Sequence, residues 1–384
     1  MSSKIKIMFM INNLYGGGAE KILQTILNNL DQNIYDITLY GVKNEMLDHT
    51  LYPKNITYRS VFNGSHKGGK LFLKALVPLA NKVKLYVYNN LSPKLFYKWF
   101  IKGTYDVEIA FIEGYSTKII GGSPNPSTKI AWVHIDLEAN HWTNICYKNL
   151  QDEIATYKNF NHIVSVSKSV QDAFSRKFNL TDNLVVKYNP LDQEDIKTKS
   201  KLNESVNLNT NKNLTLISVG RLEPQKGYDR LIKVTSKLRD EGLVYNLKII
   251  GEGNKRKELE QLIISNNLSD SVELLGFQSN PYQFIKAADI FVCSSRSEGF
   301  STVVTEALIL EKPIVATNCA GMHELLGDSE FGLLTENSED ALYNGIKEIL
   351  TNNDTLQHYK QQSIVRGQDF DIKKTMKEVG KLWL

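Results

Sequence analysis

Strand-sized apolar runs alternate with helix-sized amphipathic stretches along this 384-residue chain; the alternation stops at Asn189-Pro190 and restarts at Leu214. Such alternation predicts parallel sheets with helices on both faces. Ile5–Ile11 is a β-rich run closed by Asn12. Gly16-Gly17-Gly18 then opens a helix with Ile22, Leu23, Ile26, Leu27 and Leu30 on one face. Ile37–Val42, Val107–Ile112, Ile130–Val133 and Ile163–Val166 read as further strands. After the break, strands are expected at Leu214–Val219, Leu247–Ile250, Val272–Leu275, Ile290–Cys293 and Pro313–Ala316. Helices are expected near Tyr228–Leu238, Arg256–Ile264, Thr302–Leu310 and Thr375–Leu384, and Gln193–Asn213 reads as an irregular linker.

The predicted class is α/β: two Rossmann-like, doubly wound domains over 1–190 and 191–365, facing across a cleft. A helix at about 366–384 is expected to pack back on the first domain. Sheets of this kind bind ligands at their carboxyl ends. With 24 Gly, 9 Pro and three Cys the composition excludes a collagen, a disulfide scaffold or a disordered chain. Cys146, Cys293 and Cys319 form no C-x-x-C pair and fit a reducing cytosol. No secretory signal follows Lys4 and Lys6, and no apolar run reaches the roughly 18 residues of a membrane span.

Chemistry-bearing residues cluster at predicted strand ends. Gly220-Arg221-Leu222-Glu223-Pro224-Gln225-Lys226-Gly227 follows a strand. Its glycines admit a ligand close to the backbone, and Arg221 with Lys226 suits a diphosphate; a solvated loop is the plainer alternative. In Ser297-Glu298-Gly299-Phe300-Ser301-Thr302-Val303-Val304-Thr305-Glu306 two carboxylates bracket a helix start. Bare amides over Gly299–Val303 would meet an anion, and the carboxylates suit adjacent hydroxyls of a sugar or ribose. A capped helix with exposed acids is the alternative there. Gly16-Gly17-Gly18-Ala19-Glu20 is a poor dinucleotide fingerprint, lacking G-x-G-x-x-G spacing. Trp132-Val133-His134-Ile135-Asp136 sets a lone His after a strand, and Glu113 ends another.

Taken together, these blocks resemble a family 4 retaining glycosyltransferase with the GT-B fold, of the bacterial polysaccharide type. The Glu–seven–Glu element, the Gly-Arg-Leu…Lys-Gly loop, Gly251-Glu252-Gly253 and Leu275-Gly276-Phe277 stand in the family's order and spacing. The resemblance implies that Arg221 and Lys226 neutralise the diphosphate of a nucleotide-sugar and that Glu306 holds the ribose. It gives Glu298, with Gly299, Phe300 and Ser301, to the transferred sugar, and Thr302 and Val303 amides to the phosphate. Gly253 and Phe277 would frame the base, Gly17 and Gly18 would approach donor phosphate and acceptor, and His134 would contact the donor sugar. Asp136 would orient His134 or meet the acceptor. Neither metal nor cofactor is implied.

Charge adds a partner. The net charge is +4, yet no acid lies between Asp48 and Asp106. That gap holds Lys54, Arg59, Lys67, Lys70, Lys74, Lys82, Lys84, Lys94, Lys98 and Lys102, so the rest of the chain is net acidic. Lysines interleaved with Tyr86, Trp99 and Phe100 suit an anionic membrane surface. A solvated helix face is the alternative, and no nucleic-acid motif accompanies the block. The expectation is a cytoplasmic enzyme, peripheral at the inner face of the cell membrane. It would move a hexose or N-acetylhexosamine from a UDP-sugar to a glycan acceptor on a lipid. A UDP-sugar 2-epimerase and a non-catalytic GT-B partner subunit are the rival readings.

Overall fold

The computed structural model describes residues 4–14, 17–42, 51–62, 71–202, 208 and 213–383, with 71–80 as backbone only. The chain divides into two units, Met1–Pro190 with Lys373–Leu384, and Leu191–Ile372.

The first unit is built on strands β1 (Ile5–Ile11), β2 (Tyr35–Gly41), β3 (Thr57–Ser60), β4 (Val107–Ala110), β5 (Thr128–Val133), β6 (His162–Ser165) and β7 (Leu184–Val186). Among the described residues they form one sheet in the order β3-β2-β1-β4-β5-β6-β7. Every pairing is parallel, with Ile7 of β1 opposite Ile37 and Val107. Helices on both faces explain why β1 is apolar beyond Lys6: Ile7–Ile11 is wholly buried. Strand order reverses between β1 and β4, so the loops after these two strands flank the sheet's switch point. The helix Ile372–Gly380 leads into Leu382 and Trp383, both buried. The Trp383 ring stands edge-on to Phe9 of β1, with centroids 6.2 Å apart.

The second unit has β8 (Thr215–Val219), β9 (Asn246–Ile250), β10 (Val272–Gly276), β11 (Ile290–Cys293), β12 (Ile314–Thr317) and β13 (Leu333–Thr335). Their order, β10-β9-β8-β11-β12-β13, puts the reversal between β8 and β11. One core cluster joins Leu216, Leu247 and Val292 of the sheet to Leu231, Ile232 and Ile346 of its helices.

Three short edge strands, β3, β7 and β13, carried no expectation; β3 is only half-buried and has no apolar run to betray it. The expected irregular linker is corrected in part. Gln193–Lys201 is a helix that buries only Ile196, so it shows no apolar period. It is held instead by Asp192 capping the Asp195 amide and by an Asp195–Lys199 pair at 2.6 Å.

Within the basic block, helices Leu71–Asn90 and Pro93–Phe100 turn Val87, Tyr88, Phe96 and Tyr97 inward. They leave Val83, Leu85, Tyr86, Leu95 and Trp99 exposed, the last at 56%. Lys82, Lys94, Lys98 and Lys102 are exposed with them. Lys84 does not join that face. Its Nζ donates to the Val61 carbonyl at 2.6 Å and lies over the Phe100 ring. Lys67 and Lys70 fall outside the described residues. No described helix is long and apolar enough to cross a membrane.

Candidate active site

In the second unit, three loops at the carboxyl ends of β8, β9 and β10 are joined by backbone bonds. Gly220 donates to Ile250, Leu222 to Glu252 and Gly251 to Gly276, each at 2.9 Å. Gly251 has φ +147°, and a Cβ there would run into the Gly220 carbonyl, so no side chain fits. Gly253 lies as tightly against the Leu222 backbone. Phe277, just past Gly276, presents a ring that is 68% exposed.

The loops after β8 and β11 flank the switch point and are laced to each other. Gln225 donates to the Ser297 carbonyl at 2.8 Å and accepts from the Arg296 amide at 2.7 Å. Gly227, at φ +66°, sits where a Cβ would strike the Ser294 carbonyl. The buried Arg230 guanidinium donates to the Ser294 carbonyl at 2.6 and 2.9 Å and to Ser295 at 2.7 Å. Thr317 Oγ1 donates to the Ser295 carbonyl at 2.6 Å. Neither Arg230 nor Thr317 was singled out in the sequence. The signal was present for Arg230, a cation next to Leu231 on the face that also carries Val234 and Leu238.

These bonds set the charged groups. Lys226 Nζ lies 2.6 Å from Glu298 Oε1, and Ser295 Oγ donates to the same oxygen at 2.5 Å. Desolvation pushes the Lys226 pKa down, but the Glu298 carboxylate and Cys293 outweigh it, so the ammonium is held above its usual value. Arg221 is exposed, and its side chain makes no hydrogen bond or ion pair with another described residue. Beyond Glu298 the helix Thr302–Ile309 begins at Ser301, which gives no side-chain cap, so its first amides at Thr302 and Val303 stay open. Gly299, Phe300 and Ser301 are buried at this start, and the Ser297 and Ser301 hydroxyls have no partner. Glu306 is buried one turn along the same helix. Arg221, Lys226, Glu298 and the open amides thus gather at one end of one sheet.

In the first unit, His134 follows β5. Its Nε2 is 2.8 Å from the Phe111 carbonyl, and its amide donates to Glu113 Oε2 at 3.0 Å. A carbonyl only accepts, so Nε2 carries the proton and Nδ1 is left as an acceptor. Desolvation lowers the His134 pKa to about 4, against the opposing Phe111 bond. Asp136, expected to orient His134 or meet the acceptor, makes no bond to His134 among the described residues; its Oδ1 accepts from the Glu138 and Ala139 amides at 2.9 Å and caps a turn. Gly17 and Gly18 lead into the helix Gly18–Asn29, and the buried Glu20 carboxylate lies where a Gly17 Cβ would be. A carboxylate therefore already covers the helix start that was expected to approach a phosphate. The sequence's one Asp-x-Asp triplet, Asp369-Phe370-Asp371, sits in a turn where Asp369 bonds Arg366 at 2.9 Å.

Comparison with known proteins agrees with this geometry. Residues 199–366 match the family model described as "Glycosyl transferases group 1". The chain is 28% identical over 382 residues to a Campylobacter jejuni enzyme, covering 99% of each chain. That enzyme is named N-acetylgalactosamine-N,N'-diacetylbacillosaminyl-diphospho-undecaprenol 4-alpha-N-acetylgalactosaminyltransferase. The fold superposes on Anabaena HepE solved with UDP and glucose, at TM-score 0.76 and 22% identity over 98% of both chains. It also superposes on TarM of S. aureus solved with Fondaparinux, alpha-GlcNAc-glycerol and UDP, at TM-score 0.72 and 14% identity over 99% of both. Residues 199–366 therefore carry a group 1 glycosyl transferase domain, and the two Rossmann-like units have the GT-B fold.

Proposed function

We propose that this glycosyltransferase moves a hexose or N-acetylhexosamine from a UDP-sugar to a lipid-linked glycan, retaining configuration and without a metal ion. The observation that carries the reading is the free Arg221 beside the Lys226–Glu298 pair and the uncapped helix start at Thr302. Arg221 and the Thr302 and Val303 amides take the diphosphate charge that grows as the sugar leaves. Lys226 spends one of its three donors on Glu298, which it orients with Ser295 toward sugar hydroxyls. Glu306 takes the ribose hydroxyls, Phe277 offers an exposed face to the base, and Nδ1 of His134 accepts from a hydroxyl of the transferred sugar.

Retention is supported by the Campylobacter relative, whose name specifies an alpha product. Common UDP-hexoses hold the sugar in α linkage, so an α product keeps configuration. In this reading the acceptor hydroxyl attacks on the donor's own face and a leaving phosphate oxygen takes its proton; the protein positions both partners. The same relative's diphospho-undecaprenol acceptor supports a lipid-linked substrate met at a membrane surface. The exposed Lys94, Lys98, Lys102 and Trp99 provide the attachment surface.

Incubation of a UDP-sugar panel with and without undecaprenyl-diphosphate glycans tests the proposal. The expected result is release of UDP with a longer glycan only when acceptor is present. An epimerised UDP-sugar formed without acceptor would make the protein an epimerase, and neither product would make it a binding subunit.

A further inference from the structure

The geometry points to Glu113 as the positioning residue for His134. The inference rests on the reading that His134 works at the donor sugar. Glu113 ends the turn that leaves β4 beside the switch point and is 1% exposed. Each of its carboxylate oxygens is engaged: Oε2 accepts from the His134 amide at 3.0 Å and Oε1 from Trp142 Nε1 at 3.2 Å. Its carbonyl accepts from Asn12 Nδ2, on the loop after β1, at 3.3 Å. Loops from β1, β4 and β5 are therefore tied together through this one residue.

The grip on His134 is double. Phe111, two residues before Glu113, holds the ring through Nε2, while Glu113 holds the main chain of the same histidine. Two fixed points on one residue set both the direction of Nδ1 and the tautomer that makes it an acceptor. No Lys or Arg side chain bonds Glu113 among the described residues. Burial raises its pKa, opposed by the His134 and Trp142 bonds. A buried carboxyl without a cation is costly to keep, and an apolar residue would fill the same space more cheaply. What an apolar residue cannot do is accept from the His134 amide and the Trp142 indole at once.

Steady-state kinetics of the full chain with UDP-N-acetylgalactosamine and other UDP-sugars in the presence of an undecaprenyl-diphosphate glycan acceptor, read as UDP released, test the assignment. Glu113→Gln preserves size but turns an amide group toward one of the two N–H donors. It should lower kcat about tenfold, and Glu113→Ala about 100-fold, the scale of a small misplacement at a reacting centre. Donor KM should stay within about twofold of wild type, because the groups assigned to the diphosphate and the ribose lie in the second unit and are untouched. In a His134→Ala background neither change should lower kcat further. Equal fold losses in both backgrounds, or a loss carried by KM, would leave Glu113 as fold support and overturn the proposal. A Glu113→Gln enzyme with wild-type kcat would overturn it as well. If His134→Ala alone leaves kcat unchanged, it is the reading of His134 that fails, and that result is separate from the Glu113 comparison.

Discussion

Arg221 and Lys226 share a loop but not a task. Arg221 is free, so Arg221→Ala should fold normally and weaken UDP binding by about 1–3 kcal/mol, the worth of a charged hydrogen bond. Glu306→Ala should cost a similar amount through the ribose. Titration calorimetry with UDP checks both, and unchanged affinity in either variant removes that residue from the donor site. Lys226→Ala strands the Glu298 carboxylate, so it should lower melting temperature as well as affinity. His134 supplies a pH signature. Its folded pKa, about 4, lies below the unfolded value of 6.5. Below 6.5 the unfolded chain binds a proton that the folded one refuses. Stability is thus fully present above 6.5 and is lost as pH falls toward 4, by about 1 kcal/mol per unit. Glu113 works against this, since its raised pKa lets the folded state take up a proton before the unfolded one does. Melting followed across this range should show a smaller acid loss in His134→Gln than in wild type, and equal losses would refute the assignment. Residue types and spacing made Arg221, Lys226, Glu298 and Glu306 legible in the sequence. The Lys226–Glu298 pairing and the grip of Glu113 on His134 were not, because both join segments distant along the chain.

At the scale of elements, the donor site depends on how the loop after β11 is held. Arg230 satisfies the Ser294 and Ser295 carbonyls from within the helix Tyr228–Asp240. Arg230→Met would leave the Ser294 carbonyl unmet and the Ser295 carbonyl to Thr317 and Cys319, and should cost on the order of 2–3 kcal/mol, while also weakening UDP binding through Glu298. Thermal melts with and without UDP separate the two effects; a lower melting point with full UDP affinity would confine Arg230 to the fold. Long apolar elements such as β1 and the helix Gly18–Asn29 announced themselves, since burying them fixes their period. Gln193–Lys201 did not, because a cap and charge pairs leave no apolar period to read. The helix pair Leu71–Asn90 and Pro93–Phe100 mixes both behaviours, with an aromatic inner face and an outer face carrying lysines and Trp99. Lys94, Lys98 and Lys102 changed together to Glu should release the protein from anionic vesicles and spare turnover with a detergent-solubilised acceptor. Each Lys is worth about 1 kcal/mol near such a surface. Sedimentation with anionic and neutral vesicles decides it, and equal pelleting of wild type and variant would return these lysines to plain solvation.

At the scale of the whole molecule, alternation alone implied two parallel sheets but not the order of their strands. That order depends on pairings such as Ile7 with Val107, which no local pattern encodes. The return of the last helix to the first unit rests on such distant contacts too, above all Trp383 against Phe9. Trp383→Ala should destabilise that unit by about 3–5 kcal/mol. In a melt followed with UDP present, the transition that UDP raises should stay put and the other should fall. A fall confined to the UDP-sensitive transition would refute this.

The packing of Trp383 on β1 has a consequence for synthesis. A ribosome makes Phe9 first, and all of Leu191–Ile372 must emerge before the indole that packs against it. Until then the early half carries an open apolar slot, the kind of surface chaperones hold. A product cut short before that tryptophan leaves its first sheet unsealed, so this unit's competence to fold is decided by residues that follow the whole of the other unit in the sequence.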